Sequence, residues 1–133
     1  METLKKAIIS ELAKLNDRGW HTAKINIDFP PYINMGFTGT HFFYDKDGEK
    51  VNLFLAGDQQ FHFTLYNFIY GVNQEDYFNQ IIISAQYDKL EDAEISIEFN
   101  QSIIDNFESL LPKSKRGKTI PWWKNPDEVK GLL

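Results

Sequence analysis

Two runs of aromatic and aliphatic residues, 40–44 and 51–55, are separated only by Asp45-Lys46-Asp47-Gly48-Glu49-Lys50. Phe42, Phe43 and Tyr44 in the first run, and Val51, Leu53, Phe54 and Leu55 in the second, suit the half-buried, pleated surface of a sheet. Asp47-Gly48 supplies the residue of positive φ that a tight hairpin turn needs. A connection this short forces the two strands to run antiparallel, because a parallel crossover takes a dozen or more residues. Four residues after Ala56, a third apolar run occupies 61–70 and is expected to continue the sheet as a strand. Its Phe61, Phe63, Leu65 and Ile69 fall on one side and Tyr66, Phe68 and Tyr70 on the other, so that strand should be central or should offer one face for binding.

The flanks add helices and further strands. Leu4, Ala7, Ile8, Leu12 and Leu15 recur at three- and four-residue intervals, the stripe of an amphipathic helix, with Thr3 as its cap and Gly19 as its stop. Ala23, Ile25, Ile27 and Phe29 alternate with Lys24, Asn26 and Asp28, giving a strand that Pro30-Pro31 ends. Residues 81–87 form another strand with Ile81, Ile83, Ala85 and Tyr87 on one face, and 88–92 turn the chain. In 93–99, Ile95, Ile97 and Phe99 should be buried, while Glu94, Ser96 and Glu98 face water. Asn100 or Ser102 caps a second helix, with Asp105 as an acidic variant of the capping box and Ile103, Ile104, Phe107, Leu110 and Leu111 as its apolar face. The expected architecture is α+β: an antiparallel β-meander sheet of about six strands, an N-terminal helix, and a second helix near the C-terminus.

At 133 residues the chain has the size of one domain, 1–133, with a basic tail that contains Trp122 and Trp123 from about 113 onward. Hydrophobic residues at 42% and charged residues at 25% argue against disorder, and no stretch approaches the length of a membrane-spanning helix. The first residues lack the apolar core of a signal peptide, and there is no cysteine. The expectation is a cytoplasmic protein without disulfide or thiolate chemistry, and with no membrane partner.

No motif specifies catalysis or a cofactor. His21, His41 and His62 share no metal-ligand spacing. Asp45-Lys46-Asp47-Gly48 resembles the start of a calcium loop, but a hairpin turn accounts for it and the distal glutamate is missing. Residues 36–40 contain two glycines but no lysine and precede a strand, unlike a phosphate loop. No serine lies in a nucleophile-elbow pattern. The chain therefore reads as a non-enzyme that needs no metal and no cofactor.

Charge is uneven. Residues 45–98 hold eleven acids and three bases, a balance of −8, whereas 113–130 hold six bases and two acids, a balance of +4. The acids concentrate at Glu75, Asp76, Asp88, Glu91, Asp92, Glu94 and Glu98, with Lys89 the one base among them. Such a face disfavours nucleic acid and favours a basic protein surface. Tyr87 and Trp122 are the aromatic side chains expected to anchor that contact, although a plug against the sheet is the favoured reading of Trp122 and Trp123, since a tail must dock to stay ordered.

A small, acidic, cysteine-free, aromatic-rich α+β domain of this kind resembles the immunity proteins of bacterial contact-dependent inhibition and polymorphic-toxin systems. Within 4–56, the short N-terminal helix, Trp20 at its exit, the alternating strand 25–29 and the aromatic strand at Phe42-Phe43-Tyr44 are similar to the YezG-like immunity family. The resemblance implies an antitoxin-like inhibitor that binds a cognate toxin domain, often a nuclease, in the cytoplasm. The alternative is a small-ligand-binding or structural interaction domain in which Tyr66, Phe68 and Tyr70 line an aromatic sheet face.

Overall fold

The computed structural model describes residues 2–29, 37–72, 78–110 and 113–115, the side chains of 70–72 and 115 excepted. Five strands form one antiparallel sheet: β1 (Thr22–Asp28), β2 (Thr38–Tyr44), β3 (Lys50–Val51), β4 (Gln80–Gln86) and β5 (Glu94–Glu98), in the order β3-β2-β1-β4-β5. Helices α1 (Glu2–Ala13) and α2 (Gln59–Val72) join that sheet in a single core, and α3 (Gln101–Ser109) follows β5. The α+β class, the antiparallel sheet and the two terminal helices are as the sequence predicts, with five strands in place of about six.

The alternation of β1 decides the layering. Ala23, Ile25 and Ile27 point to one side, where their partners are Phe43 and His41 on β2 and Ala85, Ile83 and Ile81 on β4. Leu4, Ile8 and Leu12 of α1 and Phe61, Leu65 and Ile69 of α2 complete this core. Trp20 seals one end of it. Its Nε1 donates to the Leu15 carbonyl at 3.0 Å, and its ring meets Phe43 and Tyr87 edge-on at 5.4 and 5.7 Å. Gly19, at φ 81°, makes the turn that brings Trp20 inward. Thr3 lies inside α1 instead of capping it, because the helix already starts at Glu2, whose carboxylate suits the positive end of the helix dipole.

The run 61–70 is a helix, not a strand. Asp58 starts it: its Oδ1 accepts from the Phe61 amide at 2.8 Å, an N-cap bond. Gly57 takes φ 73°, and a Cβ there would collide with the Phe61 ring. Phe61, Leu65 and Ile69 are spaced four apart and lie buried on one face, whereas Phe63, which a strand would place beside them, is 55% exposed. Tyr66 and Phe68 pack against the core from α2, so they line no sheet face.

The second strand is also shorter than the predicted 51–55. Pairing with β2 ends at Val51, and the Leu53 amide then turns back to the Val51 carbonyl at 2.9 Å. The Leu55 amide donates to Nδ1 of His41 at 3.1 Å, which returns the Leu55 side chain to the core. The hairpin turn itself is as expected: Gly48 has φ 79°, and Asp45 Oδ1 accepts from the amides of Asp47 and Glu49.

Asn79, 1% exposed, ties the far end of the sheet together. Its side chain donates to the Asn100 carbonyl at 2.9 Å and accepts from the Asn100 amide at 2.8 Å, while its own amide donates to the Glu98 carbonyl and its carbonyl accepts from Phe29. Every polar group of a buried amide side chain and backbone is thereby engaged. Asn100 in turn caps α3 by accepting from the Ser102 amide at 3.0 Å, and Asp105 bonds Gln101 and not the helix start. The clamp ends β5 at Glu98, so Phe99 leaves the inward row and is 49% exposed instead of buried. Ile95 and Ile97 are half-buried, as befits an edge strand, and Glu94 and Glu98 are exposed as predicted.

Two predictions test this packing. Leu65→Ala should cost about 2–5 kcal/mol by urea unfolding, and Phe63→Ala about 0.5 kcal/mol or less, a contrast a strand would not give. The second concerns His41, whose pKa burial lowers from its ordinary 6.5 and whose Nδ1 must stay unprotonated to accept from Leu55. The unfolded chain then binds a proton on this ring before the folded one does, so its contribution to stability is lost as pH falls below about 6.5. The urea midpoint should drop between about pH 7.5 and 5.5, and His41→Gln should reduce that drop.

Candidate functional site

The sheet has a second face, made by the side chains that alternate with the core. Four rows cross it. Tyr44, Thr22 and Gln86 make one, and Phe42, Lys24, Ser84 and Glu94 the next. Thr40, Asn26, Ile82 and Ser96 follow, then Thr38, Asp28, Gln80 and Glu98. Gln80 donates to Asp28 at 2.9 Å, and the Lys50 ammonium sits 5.8 Å from the centre of the Phe42 ring. The Asn26 Oδ1 at its middle is shielded from solvent and has no hydrogen-bond partner.

Register places Glu94 and Glu98 at opposite ends of β5. Glu94 stands across from Ser84, and Glu98 across from Gln80. Four residues of extended chain separate them by about 13 Å, beyond a Debye length of about 8 Å, so their mutual repulsion is small. Glu98 accepts from Ser96 Oγ within the strand.

The remaining acids gather at one end of the sheet. Asp88, Glu91 and Asp92 are exposed on the 3₁₀ segment Tyr87–Asp92, which links β4 to β5, and Glu94 begins β5 beside them. Asp92, Glu94 and Lys89 line an open hollow of about 450 Å³ with Thr22, Ser84 and Gln86. Tyr87 stands on the other side of the β4 end, where a second hollow of about 490 Å³ is lined by Asp17, Asp45, Asp47, Lys46 and His21. The Tyr87 ring rests edge-on against Trp20 and is 40% exposed, so it presents an aromatic edge among carboxylates. Among the described residues, neither Asp88, Glu91, Asp92 nor Glu94 has an ion-pair partner.

Of the residues singled out from sequence, the structure brings Asp88, Glu91, Asp92 and Glu94 to one end of the sheet, and it places Tyr87 at that end in the neighbouring hollow. It sets Glu98 apart at the other end of β5. Glu75, Asp76 and Trp122 lie outside the described residues. Asp17, Asp45 and Asp47 belong to the same end of the sheet but are remote in sequence. The signal that they meet is that the β1 start, the β2–β3 turn and the β4 end must coincide once β1 pairs antiparallel with both neighbours.

The histidines serve other purposes. His41 holds Leu55, His62 Nε2 pairs with the Ala56 carbonyl at 3.0 Å, and His21 stays near the acidic end. Among the described residues, no three of His, Asp and Glu are placed to hold a metal ion. One charged group does link elements: Lys14 reaches Glu11 at 2.7 Å and Asp58 at 3.2 Å, tying α1 to the start of α2. Its pKa is raised by the hydrogen bonds to Glu11 and Asp58, and that of Asp58 is lowered by the Phe61 amide first and Lys14 second. No described helix is long and apolar enough to cross a membrane.

Compared with protein-family models, curated proteins and solved structures, the chain matches none.

Because Glu94 and Glu98 are exposed and well separated, Glu94→Gln and Glu98→Gln should each change unfolding free energy by about 0.5 kcal/mol or less. Asp88→Asn/Asp92→Asn, which relieves a closer group, should raise stability slightly, and more at low salt than at high. Urea unfolding at two ionic strengths measures both.

Proposed function

We propose that this protein is a binding protein of the immunity type, which neutralises a toxin domain by covering a basic surface with the acidic end of its sheet. The observation that carries this reading is the group of Asp88, Glu91, Asp92 and Glu94 at one end of the sheet, exposed and without ion-pair partners among the described residues, with the half-exposed Tyr87 in the neighbouring hollow beside Asp17, Asp45 and Asp47. Acids so placed act at a distance: they steer a basic partner into contact and exclude acidic ones. A nuclease toxin supplies such a partner, since phosphate binding requires lysine and arginine at its site. Covering that site would block its nucleic acid without any chemistry by the inhibitor. Tyr87 would provide the packed anchor that rim charges alone do not.

A small-ligand reading has less support. It requires Tyr66, Phe68 and Tyr70 on one face, and two residues along a helix turn the side chain by about 200°. Tyr66 and Phe68 thus pack against the core from opposite flanks of α2 and do not share one open face.

The test is association kinetics with the protein encoded by the adjacent upstream reading frame. Asp88→Lys/Asp92→Lys should slow association by about tenfold at low salt and flatten its salt dependence, with the far-ultraviolet spectrum unchanged. Unchanged kinetics would remove this acidic end from the interface, and absence of binding would count against the immunity reading.

A further inference from the structure

The two edges of the sheet differ. On one side β3 is two residues long, too short to template another strand. On the other, β5 pairs with β4 from Glu94 to Glu98, and among the described residues no strand lies on its outer side. An edge of this length presents backbone N–H and C=O groups that can accept a further strand, and natural sheets usually block it with lysine, proline or a bulge. β5 has no proline and no lysine. Its side chains form two rows of different chemistry: Glu94, Ser96 and Glu98 are exposed on one face, while Ile95 and Ile97 are half-buried on the other, with Phe99 49% exposed just beyond.

We propose that the outer edge of β5 accepts an extended segment of a partner protein in which lysine or arginine alternates with apolar residues. Every second side chain of an added strand would stand beside Glu94, Ser96 and Glu98, and the intervening ones beside Ile95 and Ile97. The glutamates select the occupant. In a two-fold antiparallel pairing with a second copy centred on Ser96, Glu94 of one chain would face Glu98 of the other, and directly opposed like charges destabilise a sheet. A basic strand in the same place turns both positions into opposite-charge pairs. This rests on the reading above only in taking the partner to be a basic protein, and it specifies how that protein is held.

The experiment uses the full chain, isotopically labelled, and two synthetic peptides of identical composition: one alternating lysine and valine, the other with its lysines and valines in separate blocks. The alternating peptide should slow amide exchange within β5 and bind at least about tenfold tighter than the blocked one. Glu94→Lys/Glu98→Lys and, separately, Ile97→Lys should each weaken it by about tenfold or more while the sheet's own amide signals stay in place. Equal binding of both peptides would reduce the effect to charge attraction and overturn strand addition. So would protection elsewhere than β5, no binding by either peptide, outward β5 amides already protected in the free chain, or self-association lost on substitution in β5. Because the peptides replace the natural partner, failure here leaves the kinetic test of the acidic end untouched, and failure of that test leaves this one to be decided separately.

Discussion

β1 is paired along its whole length on both sides, with β2 over seven residues and with β4 over seven. Its register therefore sets which side chains of three strands share a face, and a slip of one residue would exchange the core with the surface. Ile25 illustrates the constraint: it is fully buried, with His41 on one side and Ile83 on the other. Given that register, the chain ends around β1 have no freedom. His21 donates to the Tyr44 carbonyl at 2.6 Å and Tyr87 donates to the His21 carbonyl at 2.8 Å, so the pairing continues past the strands. The acidic end of the sheet is assembled from three sequence-distant segments by the same hydrogen bonds that hold the centre together.

Strands with one wet face are easily read in the sequence, because period two leaves a visible trace. The alternation of 23–29 and of 94–98 predicts their faces correctly, as does the helical spacing of Leu4, Ile8 and Leu12. The run 61–70 misleads for a physical reason. Phe, Tyr and Ile favour strands intrinsically, and an apolar run without clean alternation suits either a doubly covered strand or a buried helix. Two signals favour the helix: Asp58 as an N-cap three residues before Phe61, and apolar side chains at 61, 65, 68 and 69. Tertiary burial against α1 and the sheet then outweighs propensity, which differs by only about 0.7 kcal/mol per residue among ordinary residues. Phe99 shows the opposite limit. Its alternation with Ile95 and Ile97 is perfect in sequence, yet the clamp by Asn79 on Asn100 stops the strand one residue early, and nothing local to 93–99 encodes a side chain twenty residues away.

The candidate site divides along the same line. That Asp88, Glu91, Asp92 and Glu94 would be exposed together follows from their closeness in sequence around a turn. That Glu98 would stand apart follows from strand geometry, since extended chain carries successive same-face residues about 6.6 Å farther on. The participation of Asp17, Asp45 and Asp47 was legible only through pairing between strands, which a single sequence does not specify. A charge count along the chain thus finds the sign of a surface but misplaces its boundary, merging a compact cluster at the sheet end with a carboxylate at the far end of an edge.

That separation changes what the acids accomplish. Carboxylates about 13 Å apart on an exposed strand contribute almost nothing to each other's energy once salt is present, so they are cheap to keep. Opposed across a strand pair they are about 5 Å from their counterpart, and the Coulomb interaction in water at that distance is on the order of 0.8 kcal/mol for each pair. Glu94 and Glu98 therefore weigh little on the isolated fold, but they count with full sign against a like-charged neighbour and in favour of a basic one. On the proposed strand addition, an edge charged in this way would disfavour copies of itself and favour a basic segment. Lysine on the edge would oppose self-pairing equally well, so on that proposal the sign of the charge would decide which kind of neighbour is favoured. The exposed Asp88, Glu91 and Asp92 extend the same sign around the corner from β5, so a basic chain placed on either surface would also feel the other.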